Sequence, residues 1–125
     1  MDVTEYSDKK FQKELTSGIS ALVLLSVLSR AAEPMYGYQI AKLIDTRSEN
    51  IPLLKQGTLY PVLRSLEDSR LLESHVEPSV SGPPRRYYRI TESGSKALKR
   101  WEVMWTGMRQ FVDDNLKEGS HDQQR

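Results

Sequence analysis

Leu59, Val62, Leu63 and Leu66 recur at i, i+3, i+4 and i+7, and a proline, Pro61, stands among them. That spacing is one face of an amphipathic α-helix. A proline is tolerated in a helix at the first turn, where its missing N–H would have no partner in any case. The helix therefore has to begin near Gln56 or Gly57 and run to about Glu67. At about 100° per residue, Gly57, Pro61, Arg64 and Asp68 lie opposite the leucines, with Tyr60 and Ser65 on the flanks. A helix this short is marginal alone in water. The segments around it must bury its stripe.

Upstream, the pattern turns helical at Lys9. Leu15, Ile19, Leu22, Val23 and Ser26 recur at three-and-four spacing up to Ser29 or Arg30, and the apolar run at 21–28 calls for burial on more than one side. Glu33-Pro34 closes that helix, because a residue before proline avoids the helical region. In a second helix, Tyr36, Ile40, Leu43 and Ile44 share a face, Tyr38, Gln39 and Lys42 point elsewhere, and the end falls near Arg47. After Leu66 the period changes. Residues 71–76 and 85–90 read as two strands around a turn-rich stretch, 78–84, which makes a β-hairpin with a long polar tip. Tyr88 and Ile90 take its core face, Tyr87 and Arg89 the other. Thr91 is a good N-cap for a last helix over 92–116, where Leu98, Trp101, Trp105, Met108 and Val112 form a stripe widened by Met104 and Phe111. Residues 1–8 and the polar tail 117–125 are expected to be flexible or disordered.

A chain of 125 residues is one ordinary domain, and a core that small is often reinforced by association. The absence of cysteine removes disulfides, thiolate metal sites and a cysteine nucleophile, and suits a reducing cytoplasm. The first residues are mixed in charge rather than basic then apolar, and the run at 21–28 is too short for a bilayer, so no membrane partner is expected. His75 and His121 are isolated, which argues against a metal, and no nucleophile elbow or Gly-rich phosphate loop occurs. The chain reads as a non-enzyme without a cofactor. Its net charge of +1 decides nothing, but from Arg85 to Arg100 six basic residues face a single acid, Glu92. Such a segment is either a solvated face or a local phosphate-binding surface.

The order helix, helix, helix, hairpin, helix is that of a winged helix-turn-helix, whose third helix enters the major groove and whose hairpin is the wing. Three stretches carry a closer resemblance: Tyr36-Gly37-Tyr38-Gln39-Ile40, then Gly57-Thr58-Leu59-Tyr60-Pro61-Val62-Leu63 with Leu66-Glu67, then the run from Arg85-Arg86-Tyr87-Tyr88 to Thr91-Glu92-Ser93-Gly94. Over residues 12–112 the chain resembles the PadR family of regulators, in its short subclass with one C-terminal helix. The resemblance implies a mainly α fold with a small β-hairpin: a winged helix-turn-helix DNA-binding domain over 9–91 and a long C-terminal dimerisation helix. It also implies a cytoplasmic homodimer that represses promoters and, in many members, is released by a small molecule or stress signal. One departure is that the glycine usual before the first wing strand is missing from Asp68-Ser69-Arg70-Leu71, so Arg70 or Ser69 must take the helix-terminating conformation.

On this reading the DNA-contacting residues are Tyr38, Gln39, Lys55, Gln56, Thr58, Tyr60, Pro61, Arg64, Gly82, Arg85 and Arg86. Tyr38 and Gln39 open the second helix, where N–H groups meet phosphate. Arg64 can reach guanine or phosphate, or simply pair with Asp68. Arg85 and Arg86 beside Gly82 suit a wing that follows the backbone or enters the minor groove. The duplex operator of a two-fold dimer is expected to be an inverted repeat. Leu15, Ile19, Leu22, Leu98, Trp101, Trp105, Met108 and Val112 are the expected dimer interface. Trp101 and Trp105 either only pack it or form an aromatic slot for a planar small-molecule effector; Trp105 is the better candidate, since short-subclass regulators of multidrug transport carry a tryptophan there. The competing reading is a winged-helix protein-interaction module that does not bind DNA.

Overall fold

The computed structural model describes residues 3–48 and 56–123. In chain order it contains α1 (Val3–Arg30), β1 (Met35–Tyr36), α2 (Gly37–Ser48), α3 (Gln56–Asp68), β2 (Leu72–Glu77), β3 (Arg85–Ile90) and α4 (Glu92–Gln123). The strands form an antiparallel sheet in the order β1-β3-β2. Its register sets Tyr36 opposite Tyr87 and Tyr87 opposite His75. This is the winged helix-turn-helix read from the sequence, with one strand more than the hairpin.

The core is where the apolar faces converge. Leu24, Leu25, Val27 and Leu28 of α1 meet Ile40 and Ile44 of α2, the α3 leucines 59, 63 and 66, Leu72, Tyr88 and Ala97. All twelve are buried. By length and composition alone α1 could cross a membrane. Its most apolar stretch is instead the part that the other elements cover.

Four local readings change. Tyr36 is not in the second helix: it pairs with β3 as half of a two-residue strand, too short to show a period. Pro61 stands in the second turn of α3, since that helix begins at Gln56. The carbonyl of Gly57 cannot receive an amide proton from residue 61, and both residues are exposed, so water can take that place. Helix α1 starts at Val3 and α4 ends at Gln123, inside the ends expected to be flexible. Apolar periodicity stops where burial stops, whereas the backbone ladder of a helix needs no buried face.

Two joints fix α3, the hairpin and α4 together. Arg70 has φ of 63°, the left-handed conformation expected at Ser69 or Arg70. The amide of Arg70 donates to Glu67 O at 2.8 Å and that of Leu71 to Leu66 O at 2.9 Å, the two bonds of a Schellman ending. The Thr91 hydroxyl accepts from the Gly94 amide at 2.9 Å, which caps α4, and donates to Arg70 O at 2.8 Å. Gly94 is buried against Leu71: a Cβ there would lie 2.1 Å from Leu71 O.

Candidate nucleic-acid interface

Tyr36-Gly37-Tyr38 is where α2, α3 and the hairpin meet. Gly37 opens α2 and is buried, and a Cβ on it would fall 2.5 Å from Cε1 and 2.6 Å from Oη of Tyr60. Only glycine lets the Tyr60 ring lie across this backbone. Tyr60 is thus packed on one side and still 42% exposed. It serves as a spacer between α2 and α3 and remains open to a partner, so the packing and contact readings are compatible.

Gln39 is the third residue of α2, and its Oε1 accepts from the Tyr36 amide at 3.1 Å. This is half of a capping box. The side chain expected to reach DNA therefore first fixes the helix start. Gln39 itself is exposed, and the unpaired amides of a helix's first turn carry partial positive charge. Tyr38 beside it is 55% exposed.

The hairpin joins this point through aromatic contacts. Tyr87 meets the Tyr36 ring edge-on at 5.4 Å, and Tyr38 lies nearly parallel to it at 6.5 Å. The guanidinium carbon of Arg85 is 4.5 Å from the Tyr36 ring centroid. On the far side of Tyr87, His75 stacks at 5.7 Å and holds Glu77 at 3.0 Å.

Arg85 and Arg86 do not act as a pair. Neighbouring strand residues face opposite sides of a sheet, and the two side chains part accordingly. Arg86 donates to Ser74 Oγ at 2.9 Å, and the Ser74 hydroxyl donates to the Glu67 carboxylate on α3. Arg89 is matched by Glu73 across the hairpin, and Lys96 by Glu92 at 3.6 Å. Arg89 and Lys96 of the basic run are therefore balanced locally, which its composition concealed. Inside the hairpin, burial lifts the Tyr88 hydroxyl above its ordinary value, and the Glu67 carboxylate adds to that rise.

On α3, Thr58, Pro61 and Arg64 are exposed alongside Tyr60. Among the described residues no salt bridge joins Arg64 to Asp68, so that alternative is not realised. Gly82, with φ of 117°, turns the hairpin tip. Lys55 lies outside the described residues, and of Gln56 only its place at the start of α3 is described. The structure thus gathers Tyr38, Gln39, Tyr60 and Arg85 around Gly37, and directs Arg86 elsewhere. Sequence reasoning missed Tyr36, which it had assigned to an apolar helix face, and gave Gly37 no role. The signal was present in a glycine between two tyrosines.

Among the expected interface residues, Leu98 and Trp101 pack partly against the chain's own core. Ile19 and Leu22 are half-buried, and Leu15 is exposed. Beyond Trp101 the stripe turns outward: Trp105 is 39% exposed, and Met108, Val112 and Leu116 more so. Trp105 borders a cleft of about 610 Å³ between α1, α2 and α4, which also takes in Leu22, Val27, Arg30, Arg47 and Glu102.

The same fold recurs in known proteins. A structure from Eggerthella lenta, a PadR family transcriptional regulator, is 34% identical with a TM-score of 0.75, covering 91% of this chain and 97% of its own. A transcriptional regulator from Clostridium thermocellum is 27% identical with a TM-score of 0.73, covering 81% and 96%. An uncharacterized protein of Lysinibacillus sphaericus is 30% identical over 76% of this chain and 84% of its own. The profile of the transcriptional regulator PadR-like family matches residues 24–100, more than half of the sequence. With its winged helix and the glycine-centred junction of α2, α3 and hairpin, the chain belongs to the PadR-like family of transcriptional regulators.

Proposed function

We propose that this regulator is a cytoplasmic homodimeric repressor that binds an inverted-repeat operator and is released by a planar aromatic small molecule. The observation that carries the DNA-binding part is the convergence on Gly37: one glycine brings an exposed helix N-terminus, an exposed tyrosine of α3 and a wing arginine into one surface. In this reading Tyr38, Gln39 and Arg85 meet phosphate, while Thr58, Tyr60, Pro61 and Arg64, with Lys55 and Gln56, enter the major groove. Gly82 lets the tip approach the backbone, and Arg86 braces the wing against Glu67.

The dimer is supported by apolar surface without a partner in one chain. Trp105, Met108, Val112 and Leu116 continue a stripe that starts in the core, and Phe11 and Leu15 are exposed on α1. Contiguous surface of this kind is normally covered. Leu98 and Trp101 support the stripe from beneath, and Ile19 and Leu22 extend the α1 side. The effector is supported by the cleft beside Trp105, whose volume of about 610 Å³ is in the range of small-ligand sites.

A competitive gel shift tests the reading. The full chain should retard the duplex upstream of its own gene in the presence of excess unrelated DNA. Retardation that unrelated DNA abolishes equally would overturn the operator, and no retardation of any duplex would favour a winged-helix interaction module instead.

A further inference from the structure

Tyr36 lies at the end of an aromatic row that crosses the sheet. His75 on β2, Tyr87 on β3 and Tyr36 on β1 are register partners, and Tyr38 continues the row onto α2. Tyr36 is half-buried, and its ring is fixed by Tyr87 at its edge and by the adjacent Tyr38. Arg85, two residues before Tyr87 on the same face of β3, has its guanidinium over this ring.

An arginine has about 2 kcal/mol of rotamer entropy to lose on making a fixed contact. A guanidinium stacked on an aromatic face loses part of that beforehand, while its N–H donors, which lie in its plane, stay free for two phosphate oxygens. Arg85 has this geometry, and Arg86 does not, since its Nη1 is spent on Ser74. The ring belongs to the residue before Gly37, whose backbone carries Tyr60. The stack therefore sets the wing arginine against the same point of backbone that spaces α2 from α3.

We infer that Tyr36 is a positioning residue for DNA binding: its ring holds Arg85 in the orientation that meets phosphate and thereby fixes the wing relative to α2. This rests on the DNA-binding reading above for its functional consequence, though not for the stack itself. Tyr36 need not touch DNA.

The test is a double-mutant cycle read by fluorescence anisotropy on the duplex that the wild-type chain binds. Tyr36→Phe keeps the ring and should bind like wild type. Tyr36→Leu removes it and should weaken binding by about threefold per subunit, or about tenfold for a dimer on two half-sites. In an Arg85→Ala background the same Tyr36→Leu change should cost nothing further. An equal cost with and without Arg85, or a loss in Tyr36→Phe matching that in Tyr36→Leu, would overturn the inference and leave Tyr36 a packing residue. A second readout needs no DNA. In the full-length wild-type chain the Arg85 Hδ resonances should be shifted upfield by the ring current, and the shift should vanish in Tyr36→Leu. Unshifted Arg85 resonances in the wild type would overturn the stack directly. A shifted resonance in a chain that binds no DNA would instead overturn the functional reading and keep the stack.

Discussion

Replacing Gly94 with alanine puts a methyl carbon 2.1 Å from Leu71 O and 2.7 Å from Ile90 Cγ1, where ordinary contact begins at 3.4 Å. The oxygen is backbone and cannot swing aside. It also accepts the Thr91 amide at 3.1 Å, and the neighbouring Arg70 carbonyl accepts the Thr91 hydroxyl. Moving it by more than an ångström strains both bonds at the joint of α3, hairpin and α4. Overpacking costs about 1–3 kcal/mol, a weakened hydrogen bond adds about 1 kcal/mol, and better helix propensity returns up to about 1 kcal/mol, so the net loss is about 1–4 kcal/mol, with its middle at about 2.5 kcal/mol. Gly107 is the control, because it lies in the same helix with nothing within 4 Å of its Cβ position. There the propensity gain stands alone, at about 0.5–1 kcal/mol. At about 4 °C per kcal/mol for a chain of this size, Gly94→Ala should lower Tm by about 10 °C and Gly107→Ala raise it by about 2–4 °C. Thermal melts by circular dichroism read both, at one protein concentration, since association shifts Tm. An unchanged Tm in Gly94→Ala, or an equal fall in both variants, would refute the account of this joint.

Arg70→Gly relieves a left-handed residue with φ of 63° and should stabilise the chain by about 0.5–1 kcal/mol in the same melts. The raised Tyr88 hydroxyl gives alkaline sensitivity: its stabilising contribution is complete below the ordinary value of 10.0 and is lost as pH climbs through the higher folded-state value. Tyr88→Phe should therefore flatten the fall of Tm above pH 10, and an identical fall in both proteins would dismiss Tyr88 as its source. Trp105→Ala should abolish quenching of tryptophan fluorescence by any planar aromatic that releases DNA, and leave DNA affinity within about twofold; a ligand affects the operator only through unequal affinity for the two states. Quenching that persists in Trp105→Ala would move the effector to another site.

How far the fold was legible depended on periodicity. The leucines of α3 and the alternation of β3 each bury one face, so spacing alone located them, and the stripe of α4 keeps its period although only its start, Leu98 and Trp101, is covered. The left-handed turn at Ser69 or Arg70 was legible because a helix must stop before a strand there and no glycine is present. Strand β1 was not, since two residues carry no period and its pairing is with β3, about fifty positions away. The site was half legible. Exposed polar and aromatic residues on α2 and α3 could be named from the helix face. What divides Arg85 from Arg86 is the strand register and the partners Ser74 and Glu67, and no charge count contains either. Leu98 and Trp101 lean on the chain's own core for a similar reason: the stripe is continuous in sequence, but α4 leaves the body of the domain partway along it.

We expect two copies of the α2–α3–wing surface to read a two-fold symmetric duplex. Footprinting the full chain on the DNA upstream of its own gene tests this most directly. Two protected, inverted half-sites are expected, their centres about 10 base pairs or a multiple apart, with protection lost steeply as salt rises because phosphate contacts release counterions. A single asymmetric footprint, or protection indifferent to salt, would contradict it.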